Sequence, residues 1–249
     1  MNESFSTPPP LPPVPLSPRG KGELFSGFSA QYAPPEDNFT FFRIIDALLK
    51  RPGSIAFSIM NGQAARVSVS LFVAIMACLV AYGALMATFS GGPQLWIVPL
   101  KVWLGYLFSA VLCLPSLYIF VCLSGGRLSL AQLSALLLQS LALSALLLVG
   151  FAPIVWIFSQ STSGAGFMGF LHFAFWIISI YFALRLLTVS LEFINRESLQ
   201  ALHVWSLIFI VVVFQMCTFL RPLVGEFKGL QLQGKQFFLT HWMNTLDGK

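Results

Sequence analysis

The sequence predicts an all-α fold, a polytopic integral membrane helical bundle with about five transmembrane helices. Three observations predict it. Apolar residues make up 57% of the chain and charged residues 9%, against roughly 25% charged in ordinary globular proteins. The charges are also segregated. Between Val67 and Leu220 the only Asp, Glu, Lys or Arg residues are Lys101, Arg127, Arg185, Glu192, Arg196 and Glu197, and the run from Leu128 to Leu184 has none. A soluble helix or strand needs a wetted face, and these segments have no residues to build one, so lipid is the solvent that fits. The third observation is spacing: five apolar runs of about the 20 residues that a bilayer requires, separated by short turn-like stretches.

Residues 1–37 form a tail crowded with Pro8, Pro9, Pro10, Pro12, Pro13, Pro15 and Pro18. Proline fixes φ and removes a donor, which predicts an extended, disordered polyproline II segment and not a core element. It reads first as a tether. Its PxxP spacing, Pro10 to Pro13 for example, also suits a protein partner with an aromatic groove. No basic-then-apolar start precedes it, so no cleavable signal peptide is expected and the first span is the insertion signal.

Residues 38–62 are read as an amphipathic interfacial helix region. Asn38 suits an N-cap, and Phe41, Ile44, Ile45, Leu48 and Leu49 share a face at helical spacing. Asp46 and Lys50 form the favourable acid-before-base i,i+4 pair, and Pro52-Gly53 reads as the stop. Such a helix lies in the membrane interface with its bases toward headgroups, or packs on the end of the bundle, or both.

Residues 63–220 are the five-span bundle, with spans at about 67–89, 99–123, 131–158, 168–190 and 204–220. Ser90-Gly91-Gly92-Pro93, Ser124-Gly125-Gly126-Arg127 and Ser159 through Gly166 read as turns. The stretch from Leu191 to His203 has neither Gly nor Pro, so span four is expected to continue as helix past the membrane, with Glu192 and Arg196 paired. Residues 221–249 form a C-terminal tail with a short amphipathic helix built on Phe238, Leu239, Trp242, Met243 and Leu246. Trp96, Trp103, Trp156 and Trp205 fall near span ends, as interfacial anchors do.

The bases set the orientation. With the N-terminus in the cytoplasm, Arg19, Lys21, Arg43, Lys50, Arg51, Arg66, Arg127, Arg185 and Arg196 lie inside. Lys101, Arg221, Lys228, Lys235 and Lys249 lie outside, so nine against five favours N-in and C-out. The net charge of +5 is therefore a membrane signal and not a nucleic-acid footprint, and the lipid bilayer is the first partner. In a bacterium the compartment would be the cytoplasmic membrane.

Chemistry is sparse. Cys78, Cys113, Cys122 and Cys217 all sit in apolar runs without a CxxC, which argues against a metal site or disulfide framework. There is no HExxH, phosphate-cradling loop, nucleophile elbow or pair of intramembrane carboxylates, so no enzyme, cofactor or metal is expected. Organised features are few. Ser70, Ala74, Ala77, Ala81, Ala84 and Thr88 draw a stripe of small residues on span one. It reads as a helix-packing seam, within the bundle or between subunits of a homo-oligomer, because small residues permit close backbone approach in lipid. Gln132 and Gln139 share a face of span three, either as glue between helices or as the polar lining of a pathway. Arg185 is the clear intramembrane charge, placed to snorkel, and His172 reads as a hydrogen-bonded structural residue.

The layout resembles the Yip1-type membrane proteins. The likeness rests on the Pro-rich N-terminus, a short helix ending in Leu48-Leu49-Lys50-Arg51-Pro52, and five tightly spaced spans. In addition, Leu114-Pro115-Ser116-Leu117-Tyr118 followed by Gly125-Gly126-Arg127-Leu128-Ser129 is similar to the second span and turn of bacterial relatives. The resemblance covers about residues 40–220 as architecture. It implies a non-enzymatic scaffold or adaptor that organises partners at a membrane. The alternative from the residues alone is a permease or channel subunit for a small neutral or lipidic substrate, motivated by Gln132 and Gln139.

Overall fold

The structure, a computed structural model, describes residues 41–90, 94–161, 165–195 and 201–219, and every regular element in them is helical. The Pro-rich segment, the Asn38 cap, the Glu192–Arg196 pair and the C-terminal amphipathic stretch involve residues outside these ranges. In chain order the elements are α1 (Phe41–Lys50), α2 (Pro52–Ser58), a π-helical turn (Ile59–Gln63), α3 (Ala64–Ser90), α4 (Gln94–Leu123), α5 (Leu130–Ser161), α6 (Ala165–Asn195) and α7 (Ala201–Phe219).

Among the described residues, four units are long and apolar enough to cross a membrane: Pro52–Thr88, Trp96–Leu123, Leu130–Ser161 and Phe167–Asn195. The fifth expected span corresponds to α7, which has 19 residues and a shorter apolar stretch, Leu202–Met216. At 1.5 Å per residue α7 runs about 28 Å, close to the roughly 30 Å hydrocarbon core of a bilayer. The helices α4 and α5 continue through Pro99, Pro115 and Pro153.

Around the bundle the order is α7, α4, α3, α5, α6. The helices α3 and α5 are central, α4 joins α3 to α7, and α6 lies on α5. The ring closes lightly where Phe173 of α6 meets Phe214 of α7, with centroids 4.8 Å apart. Outward faces are large and apolar, as lipid requires: Phe108, Val111, Leu112 and Ile119 on α4, and Phe170, Ile177, Ile178 and Phe182 on α6, are all exposed.

The turn between α4 and α5 follows from its glycines. Gly126 N–H donates to Val121 O at 2.9 Å and Gly125 N–H to Cys122 O at 3.0 Å, with Gly125 at φ 81°. This is the Schellman pairing, in which a left-handed residue returns two amides to the last carbonyls. Three residues on, Ser129 opens α5. Its Oγ accepts from Gln132 N–H at 3.2 Å and its own N–H donates to Gln132 Oε1 at 3.0 Å, a reciprocal capping box.

One stretch departs from the expected layout. Pro52 does not stop the chain's helical path but opens α2 at its first turn, where the missing N–H costs nothing. Gly53 through Ile59 are then all buried, so the interfacial region includes a short core helix. Its composition explains how. Gly53, Ser54 and Ala56 let neighbours approach, and both hydroxyls return to the backbone, Ser54 Oγ to Arg51 O at 2.8 Å and Ser58 Oγ to Ser54 O at 2.9 Å. The chain breaks direction at Asn61 and Gly62, the latter at φ 86°, a conformation glycine adopts without steric cost.

Candidate functional site

A group of polar and aromatic side chains lies in the interior of the bundle, and α6 contributes three of them. His172, Trp176 and Ser179 are buried on its inward face, at spacings of four and three. The Tyr82 hydroxyl of α3 lies 2.8 Å from His172 Nδ1, and it donates when the ring proton is on Nε2. The two rings meet edge-on at 5.8 Å and 86°. His172 is seven residues into α6 and Tyr82 eight residues from the end of α3, so both lie about 11–12 Å inside the same end.

One turn deeper, Tyr106 of α4 and Trp176 of α6 stack edge-on at 5.3 Å and 84°. In an up-and-down bundle α4 and α6 run parallel, which places Ser109 and Ser179, each three residues further on, at one level. Both are fully buried. Ser109 Oγ donates to Gly105 O at 2.7 Å, whereas Ser179 Oγ has no protein partner, and neither has Ser144 Oγ on α5. Phe151 of α5 stacks flat on Phe175 of α6 at 4.4 Å.

The two glutamines do different things. Gln132 is the capping-box residue at the end of α5. Gln139 is buried, and its Nε2 donates to Pro52 O of α2 at 2.8 Å while its Oε1 is without a partner. Gln139 therefore ties the short buried helix to the central one. Arg185 is exposed on α6, consistent with a base whose stem lies along lipid and whose head seeks the interface.

The small-residue stripe divides. Ala74 is buried, Ser70 and Ala84 are half-buried, and Ala77, Ala81 and Thr88 are exposed. The face that α3 turns to the bundle is instead Val67, Leu71, Ile75, Leu79, Tyr82 and Met86. A close backbone approach occurs at Gly83, where a Cβ would stand 2.6 Å from Pro99 Cα of α4. In lipid the gain comes from packing contact, and the larger side chains make more of it.

Two of the four expected tryptophan anchors also differ. Trp96 and Trp156 are exposed, but Trp103 is half-buried against Phe72. Trp205 is fully buried, its indole N–H lying 3.2 Å from Cys113 O and 3.1 Å from Ser116 Oγ of α4. It pins α7 to α4. Reasoning from the sequence passed over Tyr82, Tyr106 and Trp176 as well. The signal was present, since a hydroxyl or indole N–H far inside an apolar run needs a partner in lipid.

Among the described residues His172 is hydrogen-bonded to Tyr82, and no third side chain is seen bonded to that pair. Among the described residues no three His, Cys, Asp or Glu side chains gather as a metal ion would need. Comparison of the chain with protein-family models, with characterised proteins and with solved structures finds no match.

Proposed function

We propose that the chain is a non-enzymatic multi-pass membrane protein acting as a scaffold or adaptor that organises partners at a membrane. The observation that carries this reading is where the intramembrane polar groups go. Gln132 closes a helix cap, Gln139 holds α2, His172 holds Tyr82, and Trp205 holds α7. Each is committed to helix–helix or helix-end structure. The resemblance to Yip1-type proteins points the same way.

The orientation proposed is N-terminus in the cytoplasm and C-terminus opposite. It is supported by the described charges. Arg43, Lys50, Arg51, Arg66 and Arg127 all belong to the end where α3 begins and α4 ends, with Lys101 toward the other. An impermeant thiol reagent applied to Thr245→Cys from each side tests it, and labelling from the cytoplasmic side alone overturns it. If the Pro-rich segment recruits a partner, deleting residues 1–37 abolishes co-purification of that partner, and full retention of every partner removes that segment from the reading.

A second reading, a permease for a small neutral or lipidic substrate, is favoured by one observation. Gln139 Oε1, Ser144 Oγ and Ser179 Oγ are buried without protein partners, and a solute's donors would suit them. Substituting Gln132 and Gln139 with Leu then abolishes flux in reconstituted vesicles, and unchanged flux removes both residues from a pathway.

A further inference from the structure

The helix α1 has more apolar surface than the bundle covers. Ile44 and Leu48 are buried against the rest of the chain, yet Phe42 is 78% and Leu49 57% exposed. At 100° per residue Phe42, Ile45 and Leu49 fall within about 60° of one another, a second apolar edge beside the buried one. Arg43, Asp46 and Lys50 follow on the next sector, all exposed, and Arg51 extends it. The single acid there is engaged, with Lys50 Nζ 2.6 Å from Asp46 Oδ1. Other bases share this end: Arg66 on α3 and Arg127 in the α4–α5 turn are exposed. The described acid at this end besides Asp46 is Glu192, which is buried.

We propose that α1 is an anionic-lipid-binding element. Its edge of Phe42, Ile45 and Leu49 embeds in the headgroup–acyl boundary of the bilayer that the bundle spans, and Arg43, Lys50 and Arg51 hold anionic phospholipid headgroups. Two features favour lipid over a protein occupant. The helix α1 packs against α3, on which Val69 and Val73 are exposed one and two turns in, on the lipid face. The charge is also one-sided, which complements a surface of anionic headgroups, and an apolar edge bordered by bases is what an interfacial helix presents. The proposal stands whether or not the chain recruits a partner.

The test uses the full chain in vesicles of phosphatidylcholine with or without phosphatidylglycerol, with Cys122 and Cys217 replaced by Ser. Nitroxide labels are placed at Phe42→Cys, Leu49→Cys and Asp46→Cys in separate proteins. The expected result is that the labels at 42 and 49 meet oxygen and are shielded from a water-soluble nickel chelate, while the label at 46 shows the reverse. Phosphatidylglycerol should raise the embedded population. Removing bases with Arg43→Gln, Lys50→Gln and Arg51→Gln should lower that gain about fivefold per base, the equivalent of about 1 kcal/mol each. The conservative Arg43→Lys with Arg51→Lys should keep the gain, which separates lost charge from a displaced helix. Nickel access at 42 and 49 equal to that at 46 overturns the proposal. So does shielding from both reagents with dipolar broadening between labels, the signature of a second copy. A population indifferent to phosphatidylglycerol overturns the assignment of the bases.

Discussion

Replacing Gly83 with Ala asks whether the bundle is held by the small-residue stripe or by the face beside it. The new Cβ would lie 2.6 Å from Pro99 Cα and 3.2 Å from both Pro99 Cβ and Pro99 N. Ordinary contact begins near 3.4 Å, so α3 and α4 must separate by about 0.8 Å, and the obstacle is backbone with no rotamer to yield. Overpacking of this kind costs about 1–3 kcal/mol. The helix-propensity gain of Ala over Gly, about 1 kcal/mol in water, offsets little, because in lipid the separated helix is already helical. A net loss of about 2 kcal/mol lowers the midpoint of thermal unfolding by about 4–8 °C for a chain of this size. The assay is thiol exposure on heating in detergent micelles, with buried Cys78 and Cys113 as reporters and with Cys122 and Cys217 replaced by Ser. The control is Ala77→Leu with Ala81→Leu. Both positions are exposed, so the pair should shift stability by no more than about 0.5 kcal/mol. A tolerated Gly83→Ala alongside a collapsed Ala77→Leu/Ala81→Leu protein would refute the packing described for α3.

Tyr82→Phe leaves His172 Nδ1 buried without its hydroxyl partner and should cost about 1–3 kcal/mol, whereas Tyr82→Phe with His172→Phe should recover part of that loss. The same unfolding assay, run as a double-mutant cycle, measures the coupling. Trp205→Phe removes the donor to Cys113 O and Ser116 Oγ and should cost about 1–2 kcal/mol, with Cys113 becoming reactive before Cys78 as α7 leaves α4. Ser129→Ala removes one half of the α5 capping box and should cost about 1 kcal/mol. Adding Gln132→Ala should lower stability further, since it removes the acceptor of the residue-129 N–H, a bond that Ser129→Ala leaves in place.

How much of this the sequence made legible depends on which physical rule was local. Span positions were legible because lipid acts on composition: the first four expected spans fall within observed helices, and the fifth, 204–220, overlaps α7 from its fourth residue to its end at Phe219. The Asp46–Lys50 pair was legible because i,i+4 spacing fixes it. The capping box was also written in the sequence, as Ser129-Leu130-Ala131-Gln132, yet the helical spacing of Gln132 and Gln139 drew attention to a shared face. A residue in the first turn faces its own helix end before it faces a neighbour. The fate of Pro52–Ile59 was not legible. Pro-Gly after two bases ends a helix by local rules, and only the arrival of Gln139, 87 residues away, gives the segment a core to enter. The inward face of α3 was hidden for a related reason. A stripe of alanines permits close approach, but an almost wholly apolar helix carries no amphipathic contrast to say which face is turned inward.

These differences share a cause. In water a buried polar group is unusual and marks a site, because exposure to solvent is the cheaper alternative. In a bilayer the alternative is hydrocarbon, so a buried polar group is the expected outcome of any polar residue in a span, and burial alone says little about function. What discriminates is whether polar groups converge on one another or disperse onto backbone carbonyls of neighbouring helices. Gln139 and Trp205 each reach a carbonyl of a neighbouring helix, on α2 and α4 respectively, and they lie on two different helices. Tyr82 and His172 alone pair side chain to side chain between spans among the described bonds that join groups at least 9/10 buried. Ties of this kind hold α2 to α5 and α7 to α4, and on the proposed reading recognition falls to the surfaces at the bundle's ends. The basic, half-covered helix α1 is the described surface with that character.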